Sequence, residues 1–343
     1  MARTRSHVLT AGIAGAAVCT FAAGAATATT EPVSEDAGNA SAPSMAIVYS
    51  AEWQDGSWGQ AAYDAANTML DEGIISDLAL QENVVPGAEG ERAIRALAED
   101  GFNPIIAHSF DFGEDVKAIA ADYPDTIFVY AGGFGDVDGN VGDYAQPFYQ
   151  ASYLQGILAA GVMGEGKVGG AGGFDIPVCQ AMYQAYLAGA QAVNPDIEGS
   201  FVAVGDWYDV QLAQEAAQSQ ADDGANMFIG CGQAPTFGQI DVANEIGGVS
   251  TGYVGDMSAL GESVLSSTVW NLDATFGLIV ADVAAGATEA QYYDVSLADG
   301  GMTVAINPDR EGDIPEDVMA QFEDTLAQIE SGDFEVPYVP EAG

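Results

Sequence analysis

Short apolar runs alternate with stretches of helical spacing along most of the chain. Ala46-Ile47-Val48-Tyr49 predicts a strand, 58–73 a helix, Leu78-Ala79-Leu80 a strand and 89–100 a helix. A strand at 104–108, a helix at 113–121 and a strand at 126–130 follow. The pattern breaks at 132–143, which is rich in Gly and Asp, and then starts again. Helices are predicted at 148–163, 178–193, 210–223 and 237–246, with strands at 167–173, 200–204, 227–229 and 248–253 between them. Short continuous apolar strands separated by helices predict parallel sheets covered on both faces. Two such runs predict two doubly wound α/β lobes, whose ligands sit beyond the carboxyl ends of the strands. A crossing strand at 263–270, a helix at 272–285, a hairpin around 297–303 and a last helix at 316–331 finish the chain. The expected division is 45–145 with about 271–286 as lobe one, and 146–262 with about 287–336 as lobe two, joined by a multi-strand hinge.

The first 28 residues read as an export signal. Arg3, Arg5 and His7 precede an uncharged run of small and apolar residues, the basic start and apolar middle of such a segment. Two processing sites compete: Ala26-Thr27-Ala28 would release a free protein, and Ala16-Ala17-Val18-Cys19 would make Cys19 the lipidated first residue. Either way the protein is expected outside the cytoplasm. Residues 29–44 are polar, with two Pro and no aromatic, and predict a flexible spacer.

Charge narrows the partners. The 343 residues carry 51 acids against 7 bases, a formal net charge of −44. Phosphate recognition needs clustered Lys and Arg, so a nucleic-acid partner is excluded, as is adsorption to anionic lipid. So many carboxylates repel one another at low ionic strength and are screened at high salt, which points to a salty exterior.

Catalytic signatures are missing. His108 is the only His outside the signal, and no His/Cys cluster has zinc spacing. Neither GxxxxGK[ST] nor GxSxG occurs. The acidic stretch Asp136-Val137-Asp138-Gly139-Asn140 lacks the twelfth-position Glu of an EF-hand and reads as a solvated turn. The expectation is a cleft without catalytic apparatus, metal or cofactor: a binder, not an enzyme. Cys179 begins a helix after one second-lobe strand and Cys231 ends another. In an oxidising compartment they can pair; the alternative is two buried thiols.

Five segments fall after predicted strands, where a cleft would lie: Asp55-Gly56-Ser57-Trp58-Gly59-Gln60-Ala61-Ala62-Tyr63, His108-Ser109-Phe110, 149–156, Asp206-Trp207-Tyr208-Asp209 and 252–257. In this order and spacing, over about residues 45–335, the chain resembles the basic membrane protein family of ABC-transporter solute-binding proteins, which includes purine-nucleoside receptors. The resemblance implies a type I periplasmic-binding-protein fold, a purine nucleoside or purine base as ligand, and delivery to an ABC permease by a monomeric binding protein. It also implies site residues. Trp58 takes the place of an aromatic that stacks on the base, and Trp207 matches the opposing ring. Asp256 matches an acid that accepts from ribose hydroxyls or ligand N–H groups. Asp55 and Gln60 support the first loop, Ser109 and Phe110 line the site, and Asp209 belongs to the second-lobe motif. Three positions depart from the family pattern: Gly59 replaces an Asn, Asp209-Val210-Gln211-Leu212 lacks a Lys, and Trp270 stands where nucleoside receptors carry another Lys. A third aromatic favours a smaller or flatter ligand such as a free purine base. Alternatives are a ligand sensor of the same fold and an extracellular nucleosidase using clustered Asp residues.

Overall fold

The computed structural model describes residues 42–132 and 134–341. The expected signal at 1–28, Cys19 and most of the spacer lie outside the described residues. The end of the predicted spacer is not free: Ser44 already pairs with Asp77 in a parallel ladder.

The first half of the chain forms β1 (Ser44–Val48), α1 (Trp58–Asp71), β2 (Asp77–Gln81), α2 (Ala88–Glu99), β3 (Ile105–Ala107), α3 (Gly113–Ala120), β4 (Phe128–Ala131) and β5 (Val141–Tyr144). There follow α4 (Tyr149–Met163), β6 (Lys167–Gly172), α5 (Pro177–Val193), β7 (Glu198–Ala203), α6 (Val210–Asp222), β8 (Ala225–Cys231), α7 (Gln233–Ile246) and β9 (Val249–Gly252). The chain ends with β10 (Val264–Trp270), α8 (Leu272–Ala284), β11 (Tyr292–Tyr293), β12 (Met302–Ile306) and α9 (Glu316–Ser331).

These strands make two six-stranded sheets, ordered β2-β1-β3-β4-β5-β11 and β7-β6-β8-β9-β10-β12. All pairs are parallel except β10 with β12. Both lobes thus share one doubly wound order. In each, the strand order reverses between the first strand and the third, the switch point beside which ligands of open α/β sheets bind. The central strands are buried on both faces: β1, β3 and β4 contribute Ile47, Ile106 and Val129 at 0% exposure. The helices cover them with apolar stripes. In α1, Ala62, Ala65, Ala66 and Met69 fall at helical spacing and are buried.

The hinge region differs in detail from the sequence expectation. The crossing strand is β10, an integral member of the second sheet between β9 and β12. The expected hairpin around 297–303 is absent. Its strand, β12, runs antiparallel to β10, while the preceding Tyr292–Tyr293 joins β5 in the first sheet. The segment from 287 onward therefore serves both sheets.

Candidate functional site

A cavity of about 570 Å³, its mouth included, lies where the carboxyl ends of the two sheets converge. From the first lobe come Tyr49 after β1, Trp58 at the start of α1, Ser109 and Phe110 after β3, and Gln146 after β5. From the second come Ile176 and Val178 after β6, Trp207 and Tyr208 after β7, Cys231 at the end of β8 with Gly232 and Gln233 after it, and Tyr253 after β9. Both switch points open into it. Among the described lining residues there is no Asp, Glu, Lys or Arg, in a chain with 51 acids.

Trp58 is held from several sides. Its indole Nε1–H donates to the His108 carbonyl at 3.0 Å. Its ring lies nearly parallel to the His108 ring, centroids 4.8 Å apart, and 4.9 Å from Trp270. His108 is wholly buried. Its Nε2 sits 2.9 Å from the Trp58 carbonyl and its Nδ1 2.5 Å from the Tyr144 hydroxyl. A carbonyl can only accept, so Nε2 carries the proton and Nδ1 accepts from Tyr144. Burial in this aromatic setting pushes the imidazole pKa down to about 4, against weaker opposing effects of the Trp58 carbonyl and Asp55. The ring is therefore neutral at ordinary pH and acts as a fixed prop.

Trp207 is seated in the opposite wall because two glycines leave room for it. A Cβ at Gly173 would come within 2.0 Å of the indole, and one at Gly232 within 2.7 Å. Phe174 packs edge-on at 5.2 Å. Beneath this wall a disulfide joins Cys179 to Cys231, with S–S 2.05 Å and Cα–Cα 5.3 Å. It ties α5, which follows β6, to the end of β8, the two sides of the second-lobe switch point. Two hydrogen bonds cross the cleft beside the cavity: Ser50 Oγ with the Tyr208 hydroxyl at 2.8 Å, and Gln233 Nε2 to the Asp55 carbonyl at 3.1 Å.

Of the residues expected from sequence, Trp58, Ser109, Phe110 and Trp207 line this cavity together. Six do not. The Asp55 carboxylate is engaged by the Tyr49 hydroxyl and the backbone N–H groups of Ser57, Gly59 and Gln60. It answers the unpaired donors of the first turn of α1. Gly59 is pressed against Tyr49, whose Cε1 would lie 2.4 Å from an added Cβ. Gln60 points along α1 to Asp64 Oδ1 at 2.8 Å. Asp209 caps α6 through the Leu212 N–H. Asp256 accepts from the Ser258 N–H. Trp270 is buried behind Trp58. Conversely, Tyr49, Gln146, Tyr208, Gln233 and Tyr253 line the cavity although the sequence did not mark them as site residues. Tyr208 and Tyr253 fall in two of the segments that the sequence places after strands, whereas Tyr49 reads as the end of a strand and Gln146 and Gln233 belong to no motif.

Two doubly wound lobes with a shared cleft, connected by chain that serves both sheets, define a solute-binding protein of the type I periplasmic-binding fold. Residues 42–337 match the family described as ABC transporter substrate-binding protein, PnrA-like, and the chain belongs to that family. It is 27% identical to a purine-binding protein of Brucella abortus over 74% of this chain and 70% of that protein. It is 28% identical to a putative ABC transporter glucose-binding protein of Haloferax volcanii, over 72% of this chain and 63% of that one. Among solved structures, an ABC transporter solute-binding protein from Conexibacter woesei superposes with a TM-score of 0.67 at 25% identity, over 87% of this chain and 99% of that one. Solute-binding proteins of ABC systems act outside the cytoplasm and meet a membrane permease. No helix among the described residues is long and apolar enough to cross a membrane.

Proposed function

We propose that the cleft takes a purine base or purine nucleoside, and that the lobes close on it to present a monomeric, loaded protein to an ABC permease. The observation that carries this reading is the uncharged cavity with Trp58 in one wall and Trp207 in the other. Flat aromatic walls suit a flat heterocycle, and Ser109, Gln146 and Gln233 supply neutral donors and acceptors for its edge. The free base is favoured over the nucleoside. Asp55, Asp209 and Asp256 are absent from the cavity lining, which offers a ribose no carboxylate. The same uncharged lining argues against a nucleosidase built on these acids. The purine-binding relative supports the reading, and the glucose-binding relative supplies its sharpest competitor.

The test is calorimetric titration of ligand-free protein with adenine, guanine, hypoxanthine, their nucleosides and glucose, together with mass spectrometry of any co-purifying small molecule. Binding of a purine base tighter than its nucleoside is expected. Binding of glucose alone would replace the purine reading with a sugar one. Turnover of a bound nucleoside would make the protein an enzyme.

A further inference from the structure

A second cavity, about 690 Å³ with its mouth, adjoins the first through Gly132, Gln146 and Val178. Its walls are aromatic: Tyr144 at the end of β5, Tyr149 opening α4, Tyr292 in β11, Tyr338 in the C-terminal tail, and Phe134. The Tyr149 and Tyr338 rings pack against each other at 5.2 Å and 59°, so the tail residue is held against the start of α4. Asp294 lies in the same wall. Burial first, then the carboxylates of Asp294 and Asp143, hold the Tyr292 phenol well above its ordinary range, so its hydroxyl stays neutral.

Among the described residues that line this cavity there is no Lys, Arg or His. Among the described residues, Arg95, Lys117, Lys167 and Arg310 pair with Asp122, Asp136, Glu198 and Asp313 respectively, and Arg92 lies on α2. The charge that complements Asp294 must come from solution, and a chain of net charge −44 concentrates cations around itself. Aromatic rings beside a carboxylate suit an organic ammonium better than a hydrated metal ion, because ring faces attract a cation whose methyl groups can be buried against them. A sugar would need a fan of donors, and the wall offers neither amide nor guanidinium beyond the shared Gln146.

We propose that this cavity is a second binding site, for a quaternary or other organic ammonium group. The proposal does not depend on what the first cleft binds.

The probe is choline chloride, titrated calorimetrically into ligand-free protein at constant ionic strength. The neutral isostere 3,3-dimethylbutan-1-ol and glucose are tested in parallel. Saturable choline binding is expected, with no binding by the isostere. Tyr338→Ala and Asp294→Asn should each weaken it by about tenfold, while Trp207→Ala, in the other cavity, leaves it unchanged. Tyr338 is 51% exposed, so its variant tests the site without endangering the fold. The proposal is overturned by no saturation with choline, by equal binding of the isostere, by displacement of choline by glucose, or by loss of choline binding in Trp207→Ala with Tyr338→Ala unaffected.

Discussion

His108 and Trp58 hold each other reciprocally: the imidazole Nε2–H donates to the Trp58 carbonyl at 2.9 Å, and the indole N–H donates back to the His108 carbonyl at 3.0 Å. The pair fixes the orientation of the first-lobe aromatic before any ligand arrives, and it commits the indole donor to the protein. Whatever Trp58 offers a ligand is therefore ring surface. Rigid placement of this kind lowers the ordering cost of binding.

The same pair makes a pH prediction. The His108 pKa is lowered from 6.5 to about 4 in the folded protein. Between those values the unfolded chain binds a proton that the folded chain does not. Stability from this group is complete above pH 6.5 and is lost as pH falls toward 4, by about 3 kcal/mol in all. In molar salt, which suppresses the general carboxylate effect, wild type should lose that much more unfolding free energy between pH 7.5 and 4 than His108→Gln does. Parallel curves for the two proteins, or an imidazole NMR signal titrating near 6.5, would contradict the buried neutral prop.

Trp58 and Trp207 face the cavity from different lobes, and each should contribute to affinity. Stacking of aromatic side chains on bases is worth about 1–3 kcal/mol by alanine substitution. Trp58→Ala and Trp207→Ala should each weaken binding of the preferred purine by roughly 10- to 100-fold. Asp256→Ala, whose carboxylate engages the Ser258 N–H, should change affinity little. Calorimetry on the three variants decides it. A large loss in Asp256→Ala beside the Trp losses would restore the ligand role that the family resemblance implied for this acid, and no loss in either Trp variant would remove the aromatic walls from the site.

Much of the fold was legible because buried parallel strands are continuous apolar runs, and β1, β3 and β4 are such runs. β5 was not, since Gly142 and Asp143 interrupt its four residues and its burial comes from neighbours on both sides. β11 is two residues long, too short to carry a pattern. In the site, the two indoles were legible as large rings after strands. The acids, which do not line the cavity, were ambiguous because a carboxylate near a helix start serves backbone amides and ligands equally well in a sequence. Asp55 illustrates this: in the fold it accepts from the backbone N–H groups of Ser57, Gly59 and Gln60. Tyr49 failed in the opposite way, since it reads as the last apolar residue of a core strand but lines the cavity.

Two helical glycines should respond to alanine with opposite signs. At Gly59 an added Cβ would meet Tyr49 Cε1 at 2.4 Å and the Glu52 carbonyl at 3.0 Å. Overpacking of this sort costs about 1–3 kcal/mol, and here it also displaces a cavity wall. At Gly277, in α8, nothing lies within 4 Å, and the helix gains about 1 kcal/mol from the better helix former. Denaturant unfolding should show Gly59→Ala destabilised with weakened ligand binding, and Gly277→Ala stabilised with binding unchanged. Equal effects at the two sites would show that Tyr49 yields freely, and that the departure from the family Asn has another cause.

The net charge of −44 predicts a salt requirement. The described salt bridges are mostly exposed pairs, which add little to stability, so repulsion among carboxylates dominates the surface electrostatics. Screening lengths fall from about 10 Å at 0.1 M to about 3 Å at 1 M. The melting temperature should rise steadily over that range of NaCl and continue upward beyond it. A flat or falling curve would remove the inference of a salty environment, leaving the fold and site untouched.

The disulfide should matter to both stability and binding. Cys179 and Cys231 are 52 residues apart, and closing a loop of that length removes unfolded-state entropy worth about 4 kcal/mol in the chain-entropy model. Their position adds a second effect. Cys231 lines the cavity next to Gly232, and Val178, next to Cys179, lines it from the neighbouring turn. Trp207 rests on Gly232 and on Gly173, which follows β6, so the bridge joins the two turns that seat this ring. A Cys179→Ala/Cys231→Ala double variant should unfold at a lower temperature. It should also bind the preferred purine several-fold more weakly in conditions where it is fully folded, with a broadened or shifted Trp207 emission. Leu97→Ala, a core truncation in α2 remote from the cavity, supplies the control: it lowers stability by about 2–5 kcal/mol and should leave affinity and emission unchanged. If the double variant behaves like Leu97→Ala, the bridge is a stabilising crosslink and nothing more. If peptide mapping of exported protein finds two free thiols, the pair is not bridged and both effects should vanish.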